Sequence, residues 1–336
     1  MVYYYTVFVN TTNVQRCKFF DLIVLHRWAT IERVVMNTFQ DHKVESFYNW
    51  INNRHKIYQK RLQGYAPPWT DDPILQKYKF TNPFRENDRV TVWMRTNWTD
   101  RNHNRPSSEI IFNCCLFRMI GTIEFAEQHG WVYNKWDPNK TKKILEDRLL
   151  KKQRTFTGAY IITNQGLSLP KKDVVIDHFL SPIWESKMEI SEVARTTQSL
   201  QAVHQKMATY RGWGGGGFMS YEVVSDLNYT PVLAQAKDRF TWGNAGPGAI
   251  RGINRIEGAN LKRSIKPEIA NEKMQKILGL KYIYTAEHID VASVDMRTIE
   301  HSLCEWDKYE RVRLNQGRPR SKFSWSHNKI PSGGVR

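Results

Sequence analysis

Apolar positions recur at three- and four-residue steps along most of the chain, and that period predicts helices. From Arg16 to Asn37 the repeating set is Phe20, Ile23, Val24, Arg27, Ile31 and Val34. Val44 to Leu62 continues it with Phe47, Ile51 and Tyr58, before the three prolines of Gly64 to Pro73 impose a loop. Glu109 to Glu127 reads as one buried helix. Lys142 to Lys152 reads as a charged helix with Thr141 as its cap. A long amphipathic segment, Ser186 to Arg211, uses Val193, Leu200, Val203, Met207 and Tyr210, with Ser186 and Glu189 placed for a capping box. It ends in a glycine run, after which Phe218 to Leu227 starts another helix. Strand-like patterns are few: VYYYTVFV at residues 2–9, AYIIT at 159–163 and KYIYT at 281–285. The pattern predicts a mainly α protein.

Charge changes the picture most. Fifty Lys and Arg face 33 Asp and Glu, a formal net charge of +17. Such a surface repels itself unless a polyanion is the working partner, so a polyanion leads the expected partners, with a plain solvated basic surface as the alternative. Twelve Trp, fifteen Tyr and fifteen Phe add rings suited to base stacking, although many must be core. Of the four cysteines, Cys17, Cys114, Cys115 and Cys304, none forms a CxxC pair, and Cys114 and Cys115 lie in an apolar run. Buried free thiols and a reducing cytoplasm are expected. No leader pattern opens the sequence and no apolar run is long enough to span a membrane.

The glycine run is the most specific local feature. Gly214, Gly215, Gly216 and Gly217 impose a turn between two apolar-patterned helices. The amides that open the following helix are free to meet a phosphate. A flexible connector that binds nothing is the plain alternative. A second glycine loop, Gly246-Pro247-Gly248, follows, and between the two lies Asp238, roughly twenty residues past Gly217. This layout resembles the helix-hairpin-helix DNA glycosylases. The resemblance implies a glycine hairpin gripping the DNA backbone at Gly214–Gly217 and Asp238 facing a flipped nucleotide. Phe218 to Val224 contains no lysine, which argues against Schiff-base lyase chemistry.

Four blocks carry a closer resemblance: FTNPFRENDRVT from Phe80, GGGGFMSYEVVSDL from Gly214, NAGPGAIRGINRI from Asn244 and HSLCEWDKYERVRLNQGRPR from His301. Together they resemble the phage alpha-glutamyl/putrescinyl thymine pyrophosphorylases, the amino acid:DNA transferases related to the helical domain of 5-hydroxymethyluracil DNA kinases. The resemblance implies a helix-hairpin-helix glycosylase-like fold over residues 1–336, with lobes of roughly 1–185 and 186–336 around a DNA-binding cleft. It implies transfer of an amine, such as an amino acid or polyamine, to the 5-methylene of pyrophosphorylated 5-hydroxymethyluracil in double-stranded DNA. The chain carries no GxxxxGK[ST] phosphate loop, so the kinase reaction itself is not expected. A 5-hydroxymethyluracil DNA kinase is an implied partner. A base-excising glycosylase and a non-catalytic DNA-binding subunit are the competing readings.

Residues of the types that this chemistry requires are present. Asn82 with Pro83 reads as a helix cap and first helical position, and Arg85, Asp88 and Arg89 fall on one helical face. Asn82, Arg85, Arg89 and Arg251 are the candidates for pyrophosphate or phosphate, because guanidinium forks match phosphate oxygens. Asp238 is the expected catalytic carboxylate, with Glu222, Asp226, Glu305 and Lys308 as secondary candidates. Arg318, Arg320 and Lys322 form a basic segment suited to the DNA backbone, with a disordered basic tail as the alternative. Cys304, without a paired His, is more plausible as a small buried residue than as a nucleophile. No cofactor is identified; a divalent ion such as Mg would suit pyrophosphate departure, yet no carboxylate pair commits to one.

Overall fold

The structure, a computed structural model, describes residues 39–323. The helix expected at Arg16 to Asn37, the strand-like run at 2–9 and Cys17 lie outside these residues. The described chain is helical, and its isolated bridge pairs Tyr78 with Lys322. The principal helices are α1 (Asp41–Leu62), α2 (Pro73–Lys77), α3 (Arg89–Met94), α4 (Ser107–Ile120), α5 (Ile123–His129), α6 (Pro138–Leu150), α7 (Ser181–Thr197), α8 (Leu200–Ala208), α9 (Phe218–Leu227), α10 (Pro247–Ile256), α11 (Pro267–Gly279) and α12 (Met296–Arg313). None of the helices among the described residues is long and apolar enough to cross a membrane.

Several sequence expectations change at identifiable residues. The single helix expected over Glu109 to Glu127 breaks into α4 and α5, because Gly121 adopts φ 72° and ends α4 in the left-handed region. Helix α6 starts earlier than expected. Asp137 caps it by accepting from Asn139 N and Lys140 N, while Thr141 is buried and its hydroxyl meets Trp136, His129 and the Asp137 carbonyl. The segment Ser186 to Arg211 divides at Gln198, with φ 45°, into α7 and α8. Ser186 and Glu189 are therefore interior to α7 and form no capping box; Ser199 caps α8 instead. AYIIT is irregular, and KYIYT folds as a short helix at Lys281–Tyr284. The mainly α expectation stands.

Two apolar cores hold the molecule. The first runs from Met94 to Leu233 and centres on α4, which is buried on every side from Ser108 to Ile120. An all-round apolar helix needs partners on all faces. Helices α7 and α9 supply them, and α8 packs on both. The second core joins Val44, Phe47 and Ile51 of α1 to Ile253, Met274, Ile299, Leu303 and Trp306 from the C-terminal helices. Each such buried side chain contributes roughly 1.5–3 kcal/mol over its exposed state. A boundary at 185/186 does not describe this arrangement. It falls inside α7, whose Ile183 and Ile190 belong to one core, and the second core is built from both ends of the described chain. The chain passes between the cores at Phe84–Met94 and again at Leu233–Ala249.

Candidate functional site: a buried guanidinium–carboxylate cluster between the cores

The crossing at Phe84–Met94 brings Arg85 into a polar cluster assembled from four separate stretches. Glu222 and Asp226 stand one turn apart on α9 and so share a face. Arg118 comes from α4, and Arg297, Glu300 and His301 from α12. Arg118 clasps Asp226 with Nε and with Nη2, the latter at 2.7 Å, and Nη2 also donates to Thr91 Oγ1 at 3.1 Å. Arg297 donates to Glu222 Oε1 at 2.5 Å and to Glu300 Oε2 at 3.0 Å. Arg85 Nη2 sits 2.6 Å from Glu222 Oε2 and 3.6 Å from Asp226 Oδ1, with only 11% of the side chain exposed. Three guanidiniums thus face three carboxylates, all of them largely buried. Removing one partner would leave a buried charge uncompensated.

The cluster retains unused hydrogen-bond capacity. Arg85 Nε and Nη2, Arg297 Nε and Asn82 Nδ2 are buried and lack a hydrogen-bond partner among the described residues; Arg85 Nη2 is close to its carboxylates but not aligned with them. Buried donors without partners carry a desolvation cost and mark places where an acceptor is missing. All are nitrogen donors, and the acceptor that suits them is an anion. Burial by itself pushes the Glu222 carboxyl up, but Arg85, Arg297 and Arg118 together outweigh it and hold Glu222 below the usual carboxylate range. Glu300 goes the other way: burial raises it against the pull of Arg297. Burial, with Arg297 adding to it, pushes His301 down to about 4, so its ring is neutral at physiological pH.

The segment from Thr81 to Arg85 is held against α12 from below. Thr81 N donates to Glu305 Oε2 at 2.8 Å, Thr81 Oγ1 lies 2.5 Å from His301 Nε2, and Lys308 binds Glu305 and covers the Phe80 ring. Asn82 does not start a helix. Its Oδ1 accepts from Phe84 N, and a short 3-10 turn at Arg85–Asn87 follows. Asp88 is the residue that caps α3, so Arg85, Asp88 and Arg89 share no helical face: Arg85 turns inward and Arg89 is exposed. Glu86, next to Arg85, accepts from Tyr229 at 3.3 Å, and burial raises its carboxyl.

The remaining sequence candidates are separate from this cluster. The helix–turn–helix expected around the glycine run is present: α8, the turn at Gly214–Gly217, then α9, with Gly215 and Gly217 at φ 67°. Asn244 holds the turn by donating to Gly216 O. Asp238 does not face the turn. Its Oδ1 accepts from Leu200 N at 2.8 Å, and its Oδ2 from Ser199 Oγ at 2.7 Å and Gln201 N at 2.9 Å, so both oxygens are committed to the start of α8. Gly246-Pro247-Gly248 opens α10, and Gly248 and Gly252 let α10 lie directly against Cys304 and Leu303 of α12. Burial, with Glu300 and Glu305, raises the Cys304 thiol to about 12, which suits packing and not nucleophilic attack. Arg251 pairs with Asp307. Arg318, Arg320 and Lys322 are exposed, and Ser321 and Phe323 pair with the backbone at Lys79 and Lys77. Sequence reading missed Arg118 and Arg297. Arg118 is hidden inside an apolar run, where only an unexplained charge could have pointed to it.

The described residues thus form a helical protein with a buried cluster of three guanidiniums and three carboxylates between two cores. The model of the 5-hmdU DNA kinase helical domain matches residues 41–318, and the chain belongs to that family. A 5-hmdU DNA kinase of Bacillus phage SP10 is 24% identical over 310 residues, covering 85% of this chain and 47% of that protein. The chain spans about half the length of that curated relative. No solved structure matches it. Arg85, Glu222, Asp226 and Arg297 all lie within the matched region.

Proposed function

We propose that the protein acts on DNA containing 5-hydroxymethyluracil, as an amine:DNA transferase that uses the pyrophosphorylated base. The buried donors of Asn82, Arg85 and Arg297 that lack hydrogen-bond partners carry this reading, because a leaving pyrophosphate needs nitrogen donors of this kind. The family ties the chain to 5-hmdU DNA modification, and the transferase step within it is the reading taken from the four sequence blocks that begin at Phe80, Gly214, Asn244 and His301. In the reaction the amine nitrogen forms a bond to the 5-methylene carbon while the C–O bond to pyrophosphate breaks, its electron pair leaving with the phosphate. Arg85 and Arg297 stabilise that departing charge. The ammonium proton needs an acceptor. Asp238, with both oxygens engaged, is not carried into this role; Glu86, adjacent to Arg85 and raised by burial, takes it. The glycine turn at Gly214–Gly217 and the basic segment at Arg318–Lys322 serve the DNA backbone. A free amino acid or polyamine is the second substrate, and a 5-hydroxymethyluracil DNA kinase supplies the first.

The test is nucleoside mass spectrometry after incubation of the protein with DNA bearing the pyrophosphorylated base and a panel of amines. A new amino-alkylated nucleoside supports the reading. Release of a free base would make the protein a glycosylase, and unchanged DNA would leave it a binding subunit.

A further inference from the structure

Away from the buried cluster, one carboxylate collects three guanidiniums. Asp307 of α12 is fully buried; Arg255 Nε reaches its Oδ1 at 2.8 Å, Arg251 Nε its Oδ2 at 2.9 Å, and Arg311 Nε approaches the same Oδ2 at 3.5 Å without a hydrogen bond. These three do not share the carboxylate equally. Arg255 is buried and is also held by Gln316, to which Nη2 donates at 2.9 Å, so it is the natural counter-ion of Asp307. Arg251 and Arg311 are the surplus, 37% and 34% exposed. They stand on neighbouring helices, α10 and α12, whose separation is fixed by the contact of Gly252 with Leu303. An isolated exposed arginine loses side-chain entropy when it binds. These two are already positioned by Asp307 and keep their outer nitrogens free for solvent.

Three guanidiniums against the one carboxylate of Asp307 leave net positive charge at this point, and gathered like charges favour a further anion. That anion is met at the surface, because the oxygens of Asp307 are occupied. Two guanidinium forks side by side match the oxygens of a phosphate group. Resting on the proposed function for its ligand, we propose that Arg251 and Arg311 form a DNA-backbone phosphate site, distinct from the glycine turn and from the Arg85 cluster, with Asp307 and Arg255 as its buried support. Arg251 is then a strand-positioning residue and does not hold the leaving pyrophosphate. Along α12 the site lies beyond Cys304 and Lys308 from Arg297.

The experiment is titration of a fluorescent unmodified DNA duplex with the full chain between 50 and 200 mM salt. The Arg251→Gln/Arg311→Gln double variant is compared with Arg195→Gln, which removes an exposed cation on α7. Each phosphate contact adds roughly one to the slope of log affinity against log salt. The double variant should lower that slope by about 2 and weaken binding roughly tenfold or more at low salt, whereas Arg195→Gln should leave both near wild type. Arg311→Gln alone, which leaves Asp307 with two partners, should lower the slope by about 1 and serves if the double variant is unstable. Wild-type slope and affinity in the variants would overturn the site while leaving the proposed function intact. A wild-type protein that binds no DNA would overturn both. Calorimetry with inorganic pyrophosphate separates the sources: loss of pyrophosphate binding with an unchanged DNA slope would assign the forks to the free anion.

Discussion

Arg85 is the side chain on which the proposed chemistry turns. It is short of hydrogen bonds yet touches two buried carboxylates, and it is placed by a backbone segment that Glu305 and His301 fix to α12. Replacing it with Ala removes the principal partner of the proposed pyrophosphate and leaves Glu222 dependent on Arg297. We expect Arg85→Ala to reduce transfer by roughly tenfold to a hundredfold, the equivalent of a lost charge-assisted contact of about 1.5–3 kcal/mol. Affinity for unmodified duplex should change little, as a filter-binding assay beside the transfer assay would show. Asp238 gives the opposite pattern. Its carboxylate satisfies the first amides of α8, so Asp238→Asn should cost about 0.5–2 kcal/mol of stability, in the range of a lost helix cap. Transfer per folded molecule should persist. A normally melting Asp238→Asn protein without activity would return this residue to the mechanism.

At the scale of elements, glycine does two different things. In the turn before α9 it permits backbone geometry: Gly217 has φ 67°, and a Cβ there would also collide with the His204 ring. In α10 it permits approach. A Cβ on Gly252 would sit 2.6 Å from the Leu303 carbonyl oxygen, backbone that cannot rotate away. Gly252→Ala should therefore push α10 off α12, costing roughly 1–3 kcal/mol as overpacking does. It would also disturb the Arg251–Asp307–Arg311 arrangement across the same contact. Melting temperature and the salt slope should fall together in this variant; a lower melting point with an unchanged slope would uncouple the helix contact from the phosphate site.

For the whole molecule, the buried charges set the response to pH. Glu222 is held below its ordinary range in the folded protein, so the stability it lends is complete above the unfolded value, near 4.3, and is lost as pH falls toward the folded one. His55, lowered chiefly by burial, and His301 both sit at about 4 when folded, against an unfolded value near 6.5. Unfolding takes up those protons first, and stability should begin to fall below about pH 6.5 and continue down to 4. Melting curves across pH 4 to 8 test this. His301→Gln should flatten the upper part of that decline, and an unchanged profile would show that His301 is not buried neutral.

The sequence alone determined the parts of this protein that depend on local period and residue type. The helical class, the helices at Val44 to Leu62 and Phe218 to Leu227, the glycine turn between two helices and the buried Cys114–Cys115 pair were legible because each is written in a short window. It also named Arg85, Glu222 and Asp226 as candidates, though not as neighbours. Which residues meet was decided by the tertiary structure. Glu222 meets Arg297 across 75 positions and Arg118 meets Asp226 across 108, and no periodicity reaches that far. The break at Gln198 and the capture of Asp238 by α8 were equally hidden, since a carboxylate placed between two glycine loops reads the same whether it caps a helix or faces a base. The two cores are built from discontinuous segments because burial rewards contact in space, and only the packed helices show which apolar faces are shared.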